Sequence, residues 1–467
     1  MRRRKKTIEK VDVIDIADKG HAIGRVPGGE IILIDGAVPG DNIDAIILRK
    51  KKGLKFGKVL KTNHYSKYRT DPFCDHFHQC GGCKWQNLIY DKQAELKENA
   101  VKAAIRRIAE DDEEKVEPIL KAKTTKYYRN KLEYAFSNKR WLTEKEIQSE
   151  EKIEARNAVG FHRAGAFDKV VEIEQCHLQD NFSNEIRNFL RDLALDKDFS
   201  FYDIRQNHGF LRNLIVRNTS TDQWMVTVVF GEPSDSIHHV MESLTEHFPK
   251  VNSWHYIVNE KQNDSIHDLE PIHYKGQKGI NETLGHIECQ IGPKSFFQTN
   301  SYQALKLYQT ALEFADLKKE DILYDLYTGT GTIALFSARN CKSVVGIEQI
   351  SEAIDDARDN AKMNNIHNCK FLVGDVKDTL TAEFKELYGS PSVLITDPPR
   401  AGMHIDVIET ILNLEPPKIV YISCNPSTQA RDIKLLKAKY TLIRCKPVDM
   451  FPHTSHIESV ALLHLKS

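Results

Sequence analysis

No stretch of the 467-residue chain reaches the roughly 20 consecutive apolar residues that a membrane-spanning helix needs. The basic start, Met1-Arg-Arg-Arg-Lys-Lys6, is not followed by an apolar segment of signal-peptide type. The sequence therefore predicts neither insertion nor secretion and points to the cytoplasm. It has no net charge, since 66 Lys and Arg balance 66 Asp and Glu. It also lacks internal repeats and low-complexity tracts. With 40% hydrophobic and 28% charged residues, a mainly disordered chain is excluded. Only nine residues are cysteine, and in a cytoplasmic chain they are not expected to form disulfides. The length suggests two to four domains.

The zero total hides an asymmetry. Residues 1–62 hold 15 Lys and Arg against 8 Asp and Glu, a net of +7, so the remaining 405 residues carry −7. A basic module on a neutral chain suggests a polyanionic partner, most often nucleic acid, although a solvated basic face would look the same. The segments Thr7–Ile16, His21–Val26, Glu30–Ile34, Asp41–Arg49 and Lys55–Leu60 read as strands. They are punctuated by Gly28-Gly29, Asp35-Gly36 and Pro39-Gly40. Five strands in under 60 residues suggest a small closed barrel of OB type, with Lys50-Lys51-Lys52 in the turn before the last strand.

Tyr90–Ala109 has a helical pattern, and residues from 126 to about 285 read as mixed strands and helices. After Ile291 the pattern becomes regular. Strands at Ile322–Leu326, Ser343–Ile347, Lys370–Val373, Ser392–Thr396 and Lys418–Ser423 alternate with helices, which predicts a doubly wound parallel sheet. Ligands bind such sheets beyond the carboxyl ends of the strands. Asp325-Leu-Tyr327-Thr-Gly329-Thr-Gly331-Thr332 ends the first strand and opens a helix, a loop that lets backbone approach a ligand closely. Glu348 ends the second strand and can accept both hydroxyls of a ribose; Asp375 follows the third and can meet an adenine amino group. Gly329-x-Gly331-x-x-Ala334 also fits the loose dinucleotide fingerprint, so NAD competes. Asp397-Pro-Pro-Arg400 and Ser423-Cys424-Asn425-Pro426, at the ends of the fourth and fifth strands, favour a methyl donor, because a dehydrogenase requires neither.

Cys424 lies where such a sheet presents ligands. It is either a nucleophile or a thiol packed as a small hydrophobe. Asn425-Pro426 is expected to force a turn directly after it, keeping the side chain out of a helix. Glu458, in the polar stretch Asp449–Ser459, is a candidate general base. Upstream, Cys74-x5-Cys80-Gly-Gly-Cys83 is a dense cluster of metal-site type, and Cys176 is the best fourth ligand. Zinc and an iron–sulfur cluster both remain open, with the x5 spacing and the distant fourth cysteine closer to a cluster and His76, His78 and His177 as possible zinc ligands. Aromatic Tyr65, Tyr68, Phe73, Phe77 and Trp85, interleaved with Lys67, Arg69 and Lys84, either stack bases or pack around that site.

Five motifs in order, Ser295-Phe-Phe-Gln298-Thr-Asn300, the Asp325 glycine loop, Asp397-Pro-Pro-Arg-Ala-Gly402, Ser423-Cys424-Asn-Pro426 and His453-Thr-Ser-His-Ile-Glu458, together resemble the RNA uracil-C5 methyltransferases. The barrel resembles their TRAM module. The resemblance implies three parts: a TRAM/OB-like barrel over 1–62, a central α+β domain over 63–289, and a Rossmann-like methyltransferase domain over 290–467, with the helix at 90–118 packed on the last. It implies S-adenosylmethionine as methyl donor, contacted by Gln298, Tyr327, Thr332, Glu348, Asp375 and Asp397. Cys424 would add to C6 of a uracil, Glu458 would remove the C5 proton, and Asp397 and Arg400 would lie beside the base. It further implies a [4Fe–4S] cluster on Cys74, Cys80, Cys83 and Cys176, a monomer, and 23S ribosomal RNA as partner. Transfer RNA is the alternative substrate; a non-catalytic RNA-binding iron–sulfur protein and an NAD-dependent oxidoreductase are the remaining rivals. One departure is Thr328, where many relatives carry Cys.

Overall fold

The computed structural model describes residues 7–17, 20–26, 28–149 and 153–466; the basic run Met1–Lys6 and residues 150–152 of the polar stretch Glu144–Arg156 lie outside them. Near the N-terminus, alternating apolar residues form β1 (Thr7–Ile16), β2 (Ala22–Arg25), β3 (Ile31–Asp35), β4 (Asn42–Lys51) and β5 (Leu54–His64). They close into a barrel in the order β1-β2-β3-β5-β4, with β4 returning to β1, so no strand edge is left free. Period-two alternation turns Val11, Val13, Ile32, Ile34, Ile43 and Ala45 inward as its core. Lys50 and Lys51 end β4 and only Lys52 occupies the turn, which differs from the expectation that all three sit in it.

After a turn-rich segment comes α1 (Tyr90–Ala104), continued by a wider helical turn over Ile105–Ala109. Gln93, Lys97, Val101 and Ala104 are buried on one face, at the spacing a helix repeat requires. The apolar half of that face, with Ile105 and Ala109, shares a core with Tyr324 and Tyr440 of the C-terminal sheet and with Ile411 and Ile433 of the helices packed on it. The middle of the chain contains β6 (Lys131–Ser137), the short α2 (Glu144–Gln148), β7 (Ala158–Arg163), β8 (Ala166–Glu172) and α3 (Phe182–Asp196). It continues through β9 (Leu211–Asn218), β10 (Trp224–Phe230), α4 (Ser236–His247), β11 (Ser253–Val258) and β12 (Ile272–Gly276). These strands form one seven-stranded sheet, β12-β11-β10-β9-β6-β7-β8, packed on α3 and α4 through Ile186, Leu190, Val240 and Leu244. The hairpin β13 (Ile280–Leu284) and β14 (Ile287–Ile291) packs on the far side, with Met225, into the C-terminal core.

The C-terminal part contains α5 (Ser301–Ala315), β15 (Ile322–Leu326), α6 (Thr332–Ala338), β16 (Ser343–Glu348), α7 (Ser351–Met363), β17 (Cys369–Val373), α8 (Val376–Thr379), α9 (Ala382–Tyr388) and β18 (Val393–Thr396). Then follow α10 (Ile405–Leu414), β19 (Lys418–Ser423), α11 (Pro426–Leu436), β20 (Tyr440–Val448) and β21 (Glu458–Leu465). The strand order is β17-β16-β15-β18-β19-β21-β20. Two features correct the sequence reading. The sheet is parallel only through β19, because β21 pairs antiparallel with both β19 and β20. Asn425-Pro426 does not force a turn; it starts α11, with the Asn425 side chain accepting from the Ser427 N–H and Pro426 at the first helical position, where its missing N–H costs nothing.

The segment from Asp449 to Glu458 joins β20 to β21 and is held from every side. The Lys97 ammonium donates to Asp449 Oδ1 at 2.6 Å and to the Phe451 carbonyl at 2.9 Å. The Tyr90 hydroxyl donates to Asp449 Oδ2 at 2.9 Å. The His453 N–H donates to Gln93 Oε1, and the His453 carbonyl accepts from the Lys84 and Trp85 N–H groups. Tyr128 donates to the Pro452 carbonyl and Asn300 to that of Met450. Lys97 and Asp449 are 1% and 0% exposed at the side chain, so the pair has no access to water. Removing one partner of a buried pair strands the other charge, at a cost of about 3–5 kcal/mol. Lys97→Met is therefore expected to lower unfolding stability by about that amount in urea titrations, with Lys97→Met/Asp449→Asn recovering part of the loss; a single-mutant loss below about 1 kcal/mol would show the pair to be dispensable.

Candidate active site

The carboxyl ends of the parallel strands bring the predicted C-terminal residues to one rim of the sheet. β15 ends at Leu326, and its last turn carries Tyr327 at φ 62°, a left-handed conformation rarely taken by a bulky side chain. Gly329 and Gly331 follow at φ 55° and 77°. They differ in surroundings. A Cβ on Gly331 would meet Ala357 Cβ at 2.8 Å and Phe371 Cζ at 2.9 Å, whereas one on Gly329 would have nothing within 4 Å. Gly331 is therefore a packing requirement, and Gly329 borders open space. The Gly329 N–H donates to Glu348 Oε2 at 3.2 Å, and Glu348 Oε1 accepts from the Gln349 and Ile350 N–H groups, which fixes the carboxylate at the end of β16. Thr332 is buried at the start of α6, beside Thr330. Asp375 caps α8 through the Lys377 N–H and pairs with the Lys377 ammonium at 3.4 Å.

Asp325 is fully buried. Thr328 donates to its Oδ2 at 2.5 Å, while among the described residues no group makes a well-formed hydrogen bond to Oδ1. Burial, together with the nearby Glu348 carboxylate, pushes Asp325 up to about 7. Thr328 thus braces the loop through its hydroxyl.

The three groups expected at the chemistry come together. Cys424 follows β19 directly, and the antiparallel pair Ser423↔Ser459 sets Glu458, the first residue of β21, beside it. Asp397 follows β18, the strand adjacent to β19. Cys424 is half-buried and Glu458 is 5% exposed. Each feels the other groups. Burial first, then Glu458 and Asp397, pushes the Cys424 thiol up to about 11, with Arg400 pulling it down. Burial and then Asp397 hold Glu458 well above the carboxylate range, again opposed by Arg400. Burial and then Asp325 push Asp397 up to about 7. A thiol, a carboxyl that burial makes basic and one opposing guanidinium are the parts needed to move a proton and form a covalent bond in one place.

Gln298 lies in the loop leading to α5, half-buried, its carbonyl held by Asn130 Nδ2 at 2.9 Å. His456 is exposed, whereas His453 is buried, belongs to the clamp on residues 449–453 and is held neutral, pushed down to about 4 by burial. Sequence reading missed Asn130. It also missed Tyr308, buried on α5, whose phenol is raised first by burial and then by Asp397 and, more weakly, Glu458. Neither carries a motif; a buried tyrosine at a helical repeat reads as core.

Cys74, Cys80, Cys83 and Cys176 line one cavity of about 150 Å³, together with His76, His177, Gln86 and Arg129. His76 Nε2 accepts from the Glu174 N–H, and His78 does not line the cavity. Among the described residues, no group of three or more His, Cys, Asp or Glu side chains converges to hold a metal ion.

The C-terminal part, residues 284–466, matches the family model described as tRNA (uracil-5-)-methyltransferase. The chain is 48% identical to an uncharacterized RNA methyltransferase of Bacteroides thetaiotaomicron, over 97% of this chain and all of that relative. It is 45% identical to another from Porphyromonas gingivalis, over 97% and 99%. Among solved structures it resembles the Pyrococcus abyssi tRNA (uracil-54, C5)-methyltransferase in complex with S-adenosyl-L-homocysteine. That likeness has a TM-score of 0.75 and 28% identity over 97% of this chain and 100% of the other. Among the described residues, no helix is long and apolar enough to cross a membrane. The geometry at the strand ends and these relatives agree, and the chain belongs to the S-adenosylmethionine-dependent RNA uracil-C5 methyltransferases.

Proposed function

We propose that Cys424 and Glu458 carry out C5 methylation of a uridine in 23S ribosomal RNA. The observation that carries this reading is the juxtaposition of a half-exposed thiol and a buried, basic carboxyl at the ends of β19 and β21. Uracil C5 is a weak nucleophile. Cys424, partly exposed, gives its thiol proton to water; formation of an S–C6 bond then moves the C5=C6 electron pair toward the ring carbonyl, and C5 takes the methyl group of the sulfonium donor, whose sulfur keeps the bonding pair. Glu458 removes the C5 proton, the double bond reforms, and the thiolate leaves. Arg400, opposing the high affinity of both Cys424 and Glu458 for protons, eases thiolate formation. Gln298, Tyr327, Thr332, Glu348, Asp375 and Asp397 are assigned to the methyl donor, whose one contribution is the electrophilic methyl. A base within folded RNA must leave its stack to reach the thiol, at a cost of a few kcal/mol. The barrel, as a TRAM-like module, is assigned to holding the RNA.

Cys74, Cys80, Cys83 and Cys176 are assigned to a [4Fe–4S] cluster. A single zinc ion requires donors converging to about 2.0–2.3 Å from one point. The four thiols border one cavity of about 150 Å³, room for a body larger than a single ion. A structural role follows, because methyl transfer needs no electron.

Transfer RNA is the second reading. The Pyrococcus abyssi neighbour, named for tRNA, spans nearly all of this chain, barrel and cysteine segment included. Those two modules therefore speak less strongly for ribosomal RNA than their resemblance to ribosomal members suggests. Incubation with labelled methyl donor and separated RNAs decides: label in 23S RNA supports the first reading, and label confined to tRNA replaces it.

Two further outcomes are expected. Glu458→Gln accumulates a protein–RNA adduct stable to denaturing electrophoresis, because the C5 proton cannot leave, whereas Cys424→Ala forms none and loses activity by at least 10³-fold, on the order of covalent-catalysis effects; an active Cys424→Ala enzyme would sink the mechanism. Gly329→Ala loses about 1–2 kcal/mol to its left-handed backbone and weakens S-adenosylhomocysteine binding, while Gly331→Ala, which adds overpacking to the same strain, loses about 1–3 kcal/mol more, as read by calorimetry.

A further inference from the structure

A partly buried guanidinium, Arg129, lines the four-thiol cavity, and a fully buried one, Arg187, lies close to Cys176, neither with a carboxylate to balance it. Arg187, on α3, is 0% exposed. Its Nη1 donates to Asn184 Oδ1 at 2.8 Å, and its Nη2 to the Glu174 carbonyl at 2.6 Å and to Asn188 Oδ1 at 3.0 Å. All three acceptors are neutral, and Nε has no partner. The guanidinium lies over the Tyr134 ring at 4.9 Å. The Glu174 carboxylate is turned to Arg191 instead. The Asn184 oxygen that holds Arg187 also accepts the Cys176 N–H at 2.8 Å, so the cation and the cysteine share one anchor. Arg129 lines the cavity itself, again with a buried, unpartnered Nε. Among the described residues, neither arginine is within ion-pair distance of an acidic side chain.

A buried cation surrounded only by dipoles is costly, and proteins rarely keep one without an opposite charge nearby. Here the groups that can supply it are the four thiols, once deprotonated by a metal centre. Four thiolates around a doubly positive iron–sulfur cubane leave two negative charges, and the two guanidiniums offer two positive ones. We infer that Arg187 and Arg129 are the built-in counter-charges of the cysteine-ligated centre, holding its negative charge in the protein interior. The inference rests on the cluster reading given above. It has a consequence of sign: the arginines stabilise the loaded protein and are a burden to the empty one.

The test uses full-length protein purified without oxygen. Iron, sulfide and zinc are measured per chain, and release of metal to a chelator is followed by the visible absorption of the centre. Arg187→Met and Arg129→Met are compared with Arg187→Lys, which keeps the charge. Both Met variants are expected to release iron at least tenfold faster than wild type, with Arg187→Lys close to it. The reduction midpoint of the centre should move to more negative values in the Met variants, since a positive neighbour favours the more negative, reduced state. In chelator-stripped protein, Arg187→Met should leave Tm unchanged or raise it, although it lowers Tm in the loaded form. Should the stripped protein not hold a fold, the release rates and midpoints of the loaded variants decide alone. Iron release and midpoint equal to wild type in the Met variants, or an equal loss of Tm with and without metal, overturns the counter-charge inference while leaving the cluster in place. Zinc without iron overturns the cluster and leaves the counter-charge inference to the same release assay; absence of any metal overturns both.

Discussion

The Lys97–Asp449 pair, closed off from water, is the constraint around which the site is arranged. Asp449 ends the path of β20 out of the sheet, and nine residues later Glu458 begins β21. Between them the chain has no regular structure, and on its own would sample many conformations. The ion pair and its companions remove that freedom. Hydrogen bonds reach this segment from α1, from the segment before β6, from α5 and from the turn carrying Cys83. Ordering a residue costs about 1–2 kcal/mol of backbone entropy. Bonds within the segment offset part of this cost, and the rest come from α1, the segment before β6, the start of α5 and the turn after Cys83. The β19–β21 pairing places Glu458, and the segment leading to it is braced by parts of the chain as far as 352 and 360 residues away in sequence.

The rim itself is unfavourable for stability. Asp325, Asp397 and Glu458 are each driven toward protonation by burial first and then by a neighbouring carboxylate, Glu348, Asp325 and Asp397 in turn, and burial followed by Glu458 and Asp397 makes the Cys424 thiol resist ionisation. Replacing any of them with apolar residues would relieve repulsion. A left-handed Tyr327 adds backbone strain at the same edge. Groups that cost folding energy and cluster at one end of a sheet mark the place where the sequence serves chemistry rather than stability.

Much of this was legible because the relevant signals are local. Strand–helix alternation placed β15, β16 and β19 within a residue of their ends, and the same alternation placed Glu348, Asp397 and Cys424 at strand ends. The antiparallel return of β20 and β21 was not legible, since an apolar run does not disclose its partner or direction. The start of α11 was misread although both signals were present: Asn425 is an N-cap residue and Pro426 suits the first helical turn, but Pro was taken only as a breaker. Gln93, Lys97 and Arg187 were invisible for another reason. Polar residues at helical spacing look solvent-facing unless their tertiary partners are known, and those partners lie far along the chain or in another element.

The cysteine segment and the catalytic segment meet at one residue. The His453 carbonyl accepts from the Lys84 and Trp85 N–H groups, directly after Cys83, and Arg129 lies over the Phe451 ring at 5.4 Å while lining the thiol cavity. The cysteine segment is anchored at its C-terminal end by Trp85 and Leu88, packed with Val38 and Leu96, while the stretch Cys80-Gly-Gly-Cys83 adds little apolar surface of its own. Cross-linking it through four sulfurs would give it the rigidity that packing does not. The His453 carbonyl then rests on a fixed pair of donors, and the segment running on to Glu458 inherits that rigidity. With the cysteines bridged as proposed, their site would stiffen the connection between β20 and β21 without touching the rim where Cys424 and Glu458 lie.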